Sequence, residues 1–135
     1  MAKFVVTSDW HIGARMGTAG RAAGRFREIR FETAERVVEL AGDEGAGALF
    51  LLGDTFDGDR VGAGDVERTL SILKQAPCPV FVLPGNHDWW HRGGVLASFA
   101  RAAEGVDHVT VLTEPETPLK LAEIPGVTFF PCPLL

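Results

Sequence analysis

The chain has 135 residues, 46% of them hydrophobic, with 13 basic and 18 acidic side chains and a formal net charge of -5. That length supports one domain with a real core. It holds no apolar run of about 18 residues, so no membrane span is expected, and Met1-Ala2-Lys3-Phe4 leads straight into a strand with no signal-peptide core. The acidic balance argues against nucleic-acid affinity through bulk charge. Cys78 and Cys132 lie far apart, each between two prolines. Two reduced, buried thiols and a cytoplasmic setting are therefore expected.

In chain order, residues 3–8 read as a strand. A Gly/Ala/Arg-rich loop follows over residues 13–25, then a helix over 26–41 with Phe26, Ile29, Thr33, Val37 and Leu40 on one face. Residues 47–52 are continuously apolar but for Gly47, the pattern of a strand in a sheet covered on both faces. Gly64-Asp65 opens a second helix, with Asp65 as its N-cap and Val66, Leu70 and Leu73 at helical spacing. Pro77 stops it, and residues 79–83 form the next strand. Residues 94–103 make a short helix burying Val95, Phe99 and Ala102, with Gly105 as its C-cap. A strand over 108–112 follows, then a hairpin pairing 119–121 with 127–130 through Pro125-Gly126. The alternation predicts a mainly parallel sheet with right-handed crossovers.

Three polar blocks punctuate this pattern: Asp9-Trp10-His11, Gly53-Asp54-Thr55-Phe56-Asp57 and Gly85-Asn86-His87-Asp88. Each ends a short apolar run, so parallel strands would deliver all three to one carboxyl edge, where open α/β sheets build their sites. Asp9 and His11 would point to the same side of an extended strand end. Gly53 would let backbone approach closely. The gathered donors are carboxylates, an amide oxygen and imidazoles, a mixture suited to transition-metal dications. Two such ions close together are a standard device for in-line attack on phosphate esters.

The order D-x-H, G-D-x-x-D, G-N-H-D resembles the calcineurin-like metallophosphoesterase superfamily. Ser8-Asp9-Trp10-His11-Ile12-Gly13 and Gly53-Asp54-Thr55-Phe56-Asp57 are similar to its DNA-repair exonuclease branch, the SbcD-like nuclease subunits. The resemblance implies an α/β/β/α sandwich, of which this chain supplies the N-terminal βαβαβ half. It implies Asp9 and His11 on a first metal, Asp54 bridging two ions and Asn86 on the second. It makes His87 the acid/base that acts on substrate, with Asp88 holding its tautomer. Asp57 either orients the ligands or caps a turn. The implied cofactors are two divalent ions, Mn2+ foremost, with Fe2+, Zn2+ or Mg2+ as alternatives. The implied partners are DNA as substrate, an SMC-like ATPase and a second copy in a homodimer.

Other residues stay open at this level. Trp89 and Trp90 could stack on a nucleobase or cover the core, and the core is favoured for at least one. Arg15, Arg21, Arg25, Arg27 and Arg30 could hold a DNA backbone or form a solvated face. His91 reads as a surface residue and His108 as structural. The superfamily also closes its site with a lone histidine and a G-H-x-H block. After His91 this chain has only His108, in Val106-Asp107-His108-Val109, which matches neither. Phe129-Phe130-Pro131-Cys132-Pro133 reads as a strand leading onward, so the chain is expected to be the N-terminal part of a longer domain. The alternatives are a phosphodiesterase or phosphatase on nucleotides or phosphoproteins, and a metal-binding assembly module without activity of its own.

Overall fold

A computed structural model describes residues 1–15, 17 and 20–135. Met16, Thr18 and Ala19, part of the Gly/Ala/Arg-rich loop, lie outside the described residues. The elements are β1 (Val5–Thr7), α1 (Arg21–Asp43), β2 (Leu49–Leu52), α2 (Ala63–Leu73), β3 (Val80–Leu83), α3 (Val95–Ala102) and β4 (Val109–Val111). The strands form one sheet in the order β1-β2-β3-β4, parallel throughout, with Val5, Leu49, Val80 and Val109 in register. Strands laid down in sequence order, with crossovers of one hand, put every helix on the same face.

The two faces are covered differently. Leu49, Leu51, Val80, Val82 and Val109 face the helices and share one core with Phe31 and Val38 of α1, Leu70 and Leu73 of α2, and Leu96 and Phe99 of α3. Ala48, Phe50 and Phe81 face the other way and pack on Ile124, with Leu119, Leu121, Val127 and Phe129 around them. On that side Phe50 stacks on Phe81 at 5.3 Å between ring centroids, and Phe4 meets Phe129 edge-on at 5.4 Å. The expected hairpin reduces to a single antiparallel bridge, Leu119 to Phe129, with 2.9 Å backbone bonds in both directions. Its cover is partial: Phe4, Val6 and Leu52 stay exposed.

Three expectations about helices need correction. α1 begins at Arg21, inside the stretch expected to be loop, and it turns a different face inward. Phe31, Ala34, Val38 and Ala41 are buried, whereas Phe26, Ile29 and Leu40 are exposed. The small alanines let the helix approach the sheet closely, so shape decides the face over side-chain size. Asp65 does not cap α2, which begins at Ala63 after Gly62; its carboxylate takes the Arg27 guanidinium instead. Arg68 grips Glu28 through two bonds of 2.9 Å, lies 4.0 Å from the Phe31 ring centroid and so ties α2 to α1. In α3, Ala102 is exposed and the following Ala103 is buried. Both cysteines are free, but only Cys78 is buried, and that burial pushes its thiol pKa up; Cys132 is exposed. Among the described residues no helix is long and apolar enough to cross a membrane.

Candidate metal centre

The three polar blocks meet at the carboxyl edge, as the parallel sheet requires. Backbone bonds lace the first two together: Asp9 N donates to Gly53 O (3.1 Å), His11 N to Asp54 O (3.0 Å), Ile12 N to Thr55 O (3.0 Å), and Asp57 N back to Ile12 O (2.9 Å). The third loop joins through side chains. Asp88 is fully buried, and its carboxylate accepts N–H bonds from Gly85 (2.8 Å), Asp54 (3.1 Å) and Phe56 (3.1 Å). Desolvation pushes its pKa up, while the three amides pull against that. Asp54 Oδ1 in turn accepts the His87 N–H at 2.9 Å. Gly53 and Gly85 pass back to back. A Cβ on Gly53 would lie 3.0 Å from Gly85 Cα, and a Cβ on Gly85 would overlap the Asp54 backbone N.

The backbone bends sharply here. Asp9, His11 and Asp54 all adopt positive φ, at 57°, 46° and 53°, a region non-glycine residues rarely occupy and one often seen at functional sites. β1 ends at Thr7, so Asp9 and His11 do not share an extended strand end as the alternation argument supposed. The two left-handed residues bring them together instead, with His11 Nε2 3.6 Å from Asp9 Oδ1. Ser8 Oγ donates to the other Asp9 oxygen.

Two groups of side chains can each hold a metal ion: Asp9, His11 and Asp54, and His11, Asp57 and His87, with the ligand atoms of each group within 4.8 Å of one another. His11 belongs to both. Its Nδ1 lies 3.1 Å from Asp57 Oδ1, a contact that would place the proton there and leave Nε2 bare toward Asp9. The Asp57 carboxylate thus faces the His11 imidazole. His87 Nδ1 lies 3.2 Å from the Asp57 carbonyl and 3.8 Å from its carboxylate, and the two imidazoles meet edge-on at 4.8 Å. The expected pairing of Asp88 with His87 is not made. Asp88 points into the loop junction, and Asp57 takes the neighbouring place on the His87 ring. Asn86 is exposed, between the Gly85 amide held by Asp88 and the His87 amide held by Asp54. Thr55 Oγ1, beside Asp54, is the one buried side-chain polar atom without a partner among the described residues.

The residues around the centre divide. Trp90 packs against the core and donates its backbone N–H to Leu134 O at 2.9 Å, while Trp89 is exposed. His91 is no bare surface residue: its Nε2 lies 2.9 Å from Asp59 Oδ2. His108 Nε2 contacts the Lys74 carbonyl at 3.1 Å, as a structural histidine would. Of the arginines, Arg25 pairs with Glu32, Arg27 with Glu28 and Asp65, and Arg30 donates to Trp10 O at 3.0 Å. Arg15 lines two cavities beside the centre, of about 480 and 470 Å3. Sequence reasoning missed Asp59, whose separation of 32 residues from His91 leaves no local signal.

A parallel sheet that gathers carboxylates and imidazoles at its carboxyl edge places the chain among α/β proteins with a candidate divalent-metal site. Residues 2–125 match the calcineurin-like phosphoesterase family, and the chain belongs to it. That family binds two divalent metal ions, and the donor set here fits such ions. Over 121 residues the chain is 30% identical to the DNA double-strand break repair protein Mre11 of Sulfurisphaera tokodaii, a match that takes in 87% of this chain. It spans about 30% of that relative's length.

Proposed function

We propose that this chain is the N-terminal portion of a single metallophosphoesterase domain that hydrolyses phosphodiester bonds in DNA with two divalent ions, Mn2+ foremost. The observation that carries the reading is the Asp9, His11 and Asp54 group, with Asp57 and His87 set beside it, held at the sheet edge by laced loops. The similarity to a DNA repair protein supports DNA as the substrate. The imidazoles among the oxygen donors favour transition-metal dications over Mg2+, and the family resemblance puts Mn2+ first among them. The resemblance to the exonuclease branch adds an SMC-like ATPase as partner; two free cysteines support a cytoplasmic setting, and a homodimer is the assembly to test.

In this reading Asp9 and His11 hold one ion, Asn86 holds the other, and Asp54 is shared. Asp57 fixes the His11 ring through its Nδ1 contact. Bound divalent ions would supply charge for the phosphate oxygens and a water of lowered pKa. His87 carries the proton chemistry. Its Nδ1, set against the Asp57 carbonyl, leaves Nε2 to hand a proton to the leaving oxygen.

Calorimetric titration of the 135-residue chain with Mn2+, beside an assay on a DNA oligonucleotide, tests this. Two ions per chain and metal-dependent cleavage are expected, with both lost in Asp54→Asn while its far-ultraviolet circular dichroism is unchanged. Undiminished cleavage by Asp54→Asn would falsify the assignment. One weak ion and no cleavage in the wild type would make the chain an assembly module that needs further histidine donors. Faster turnover of nucleotide monoesters or phosphopeptides than of DNA would favour the phosphatase reading.

A further inference from the structure

Trp89 is 45% exposed, two residues beyond His87. Its indole is not loose. It stacks on the His91 imidazole with ring centroids 4.2 Å apart and planes 27° from parallel. His91 is fixed in turn: Nε2 lies 2.9 Å from Asp59 Oδ2, and the ring presses on the backbone at Gly94, where an added Cβ would come within 2.7 Å of it. Asp59 Oδ1 accepts the Val95 N–H at 3.0 Å, at the first residue of α3. Four residues from two loops and a helix start therefore serve to hold one exposed indole in place. The neighbouring Trp90, by contrast, is partly buried and packs against the core.

The same loop links this stack to the metal centre. Asp57 contacts both His11 and His87, and Asp59, two residues on, holds His91. Beside Asp57 and Asp59 opens a cavity of about 470 Å3, lined also by Arg15 and Arg60. Its volume falls in the range of small-ligand sites. Arginines suit phosphate oxygens through their forked donors, and an exposed, immobilised indole suits a planar ring.

We propose that Trp89, braced by His91 and Asp59, is a stacking platform for one unpaired nucleobase of the substrate, with Arg15 and Arg60 taking the adjoining phosphates. This rests on the phosphodiesterase reading above and narrows its substrate to nucleic acid with a base free of its partner strand. A paired base inside a duplex hides its faces in the stack and cannot be received here.

Two measurements on the full chain test it. The first needs no turnover: with chelator present, tryptophan fluorescence is followed while a single-stranded thymidine oligonucleotide is added. Quenching is expected in the wild type, weaker quenching with the blunt duplex, and loss of the signal in Trp89→Ala. Equal quenching in Trp89→Ala, equal quenching by the duplex, or no quenching in the wild type would overturn the proposal. The second compares the p-nitrophenyl ester of thymidine 5′-phosphate with methyl p-nitrophenyl phosphate, which shares the leaving group and lacks the base. Trp89→Ala should raise KM for the nucleoside ester about 5- to 150-fold, the value of one stacked base, with little change in kcat or in the methyl ester. Trp89→Phe should recover most of the loss. Equal losses on both esters would mark Trp89 as structural and overturn it. If neither ester is hydrolysed while quenching persists, the catalytic reading fails and the platform stands.

Discussion

Asp88 shows how a centre of this kind is assembled one residue at a time. Three loops must converge with their backbone amides turned inward, and buried amides need acceptors. Asp88 supplies both oxygens to Gly85, Asp54 and Phe56, one from the third loop and two from the second. The cost of burying its charge shows in the raised pKa, and the three N–H bonds offset it. Asp88→Asn keeps the shape but puts an amide N–H where an acceptor is needed. It should cost about 1–3 kcal/mol in urea unfolding, the penalty of an unsatisfied buried donor. Gly85→Ala is expected to cost at least as much, because its methyl would meet the Asp54 backbone N, which cannot move without the loop. Stability equal to wild type in both would mean the loops are not clamped as described. Residue identities at this site were legible in the three blocks, but their pairings were not. The resemblance suggested that Asp88 serves His87, whereas a tight loop turns these neighbouring side chains apart, and Asp57, 30 residues from His87, takes that place.

At the scale of elements, period was legible and phase was not. α1 carries two apolar stripes, and both have helical spacing. One holds the larger residues Phe26, Ile29 and Leu40; the other holds Phe31, Ala34, Val38 and Ala41. A count of hydrophobicity favours the first. Packing favours the second, because alanines bring the helix axis close to the sheet and leave Phe31 to fill the remaining gap. Arg68 and Arg27 then cover the outer side of that phenyl ring, at 4.0 and 5.2 Å from its centroid. The two stripes should differ sharply on substitution. Phe31→Ala should lose about 3–5 kcal/mol through the cavity it leaves, while Ile29→Gln should stay within about 0.5 kcal/mol, as surface changes do. Paired urea melts read both values, and a large loss at Ile29 would restore the face that size alone suggests. The strand ends were harder to read for a related reason. β1 keeps only Val5–Thr7 because the chain turns left-handed at Asp9 and His11; Asp and His tolerate positive φ better than most residues, but their types alone do not say that they adopt it here.

For the molecule as a whole, strand order decides what is covered. Sequential parallel strands send all three helices to one face and leave the other to whatever the chain adds later. Residues 119–129 reach that face and cap Phe50 and Phe81, yet Phe4, Val6 and Leu52 remain open beside them. This is the side on which the α/β/β/α sandwich implied by the resemblance would set its second sheet, and the chain spans only about 30% of its Mre11 relative. The continuous apolar stretch of β2 made a doubly covered sheet legible, but one sequence does not say which segments do the covering. Open apolar surface of this kind binds hydrophobic dyes in the folded state. The folded chain should therefore enhance 8-anilinonaphthalene-1-sulfonate fluorescence. Val6→Lys combined with Leu52→Lys should remove most of that signal while stability changes by no more than about 0.5 kcal/mol per site, since both side chains are exposed at 50% and 47%. A steep fall in melting temperature would show that the two residues are buried in the isolated chain. An unchanged dye signal at unchanged stability would place the open surface on the outer stripe of α1 instead, and Phe26→Glu would then abolish it.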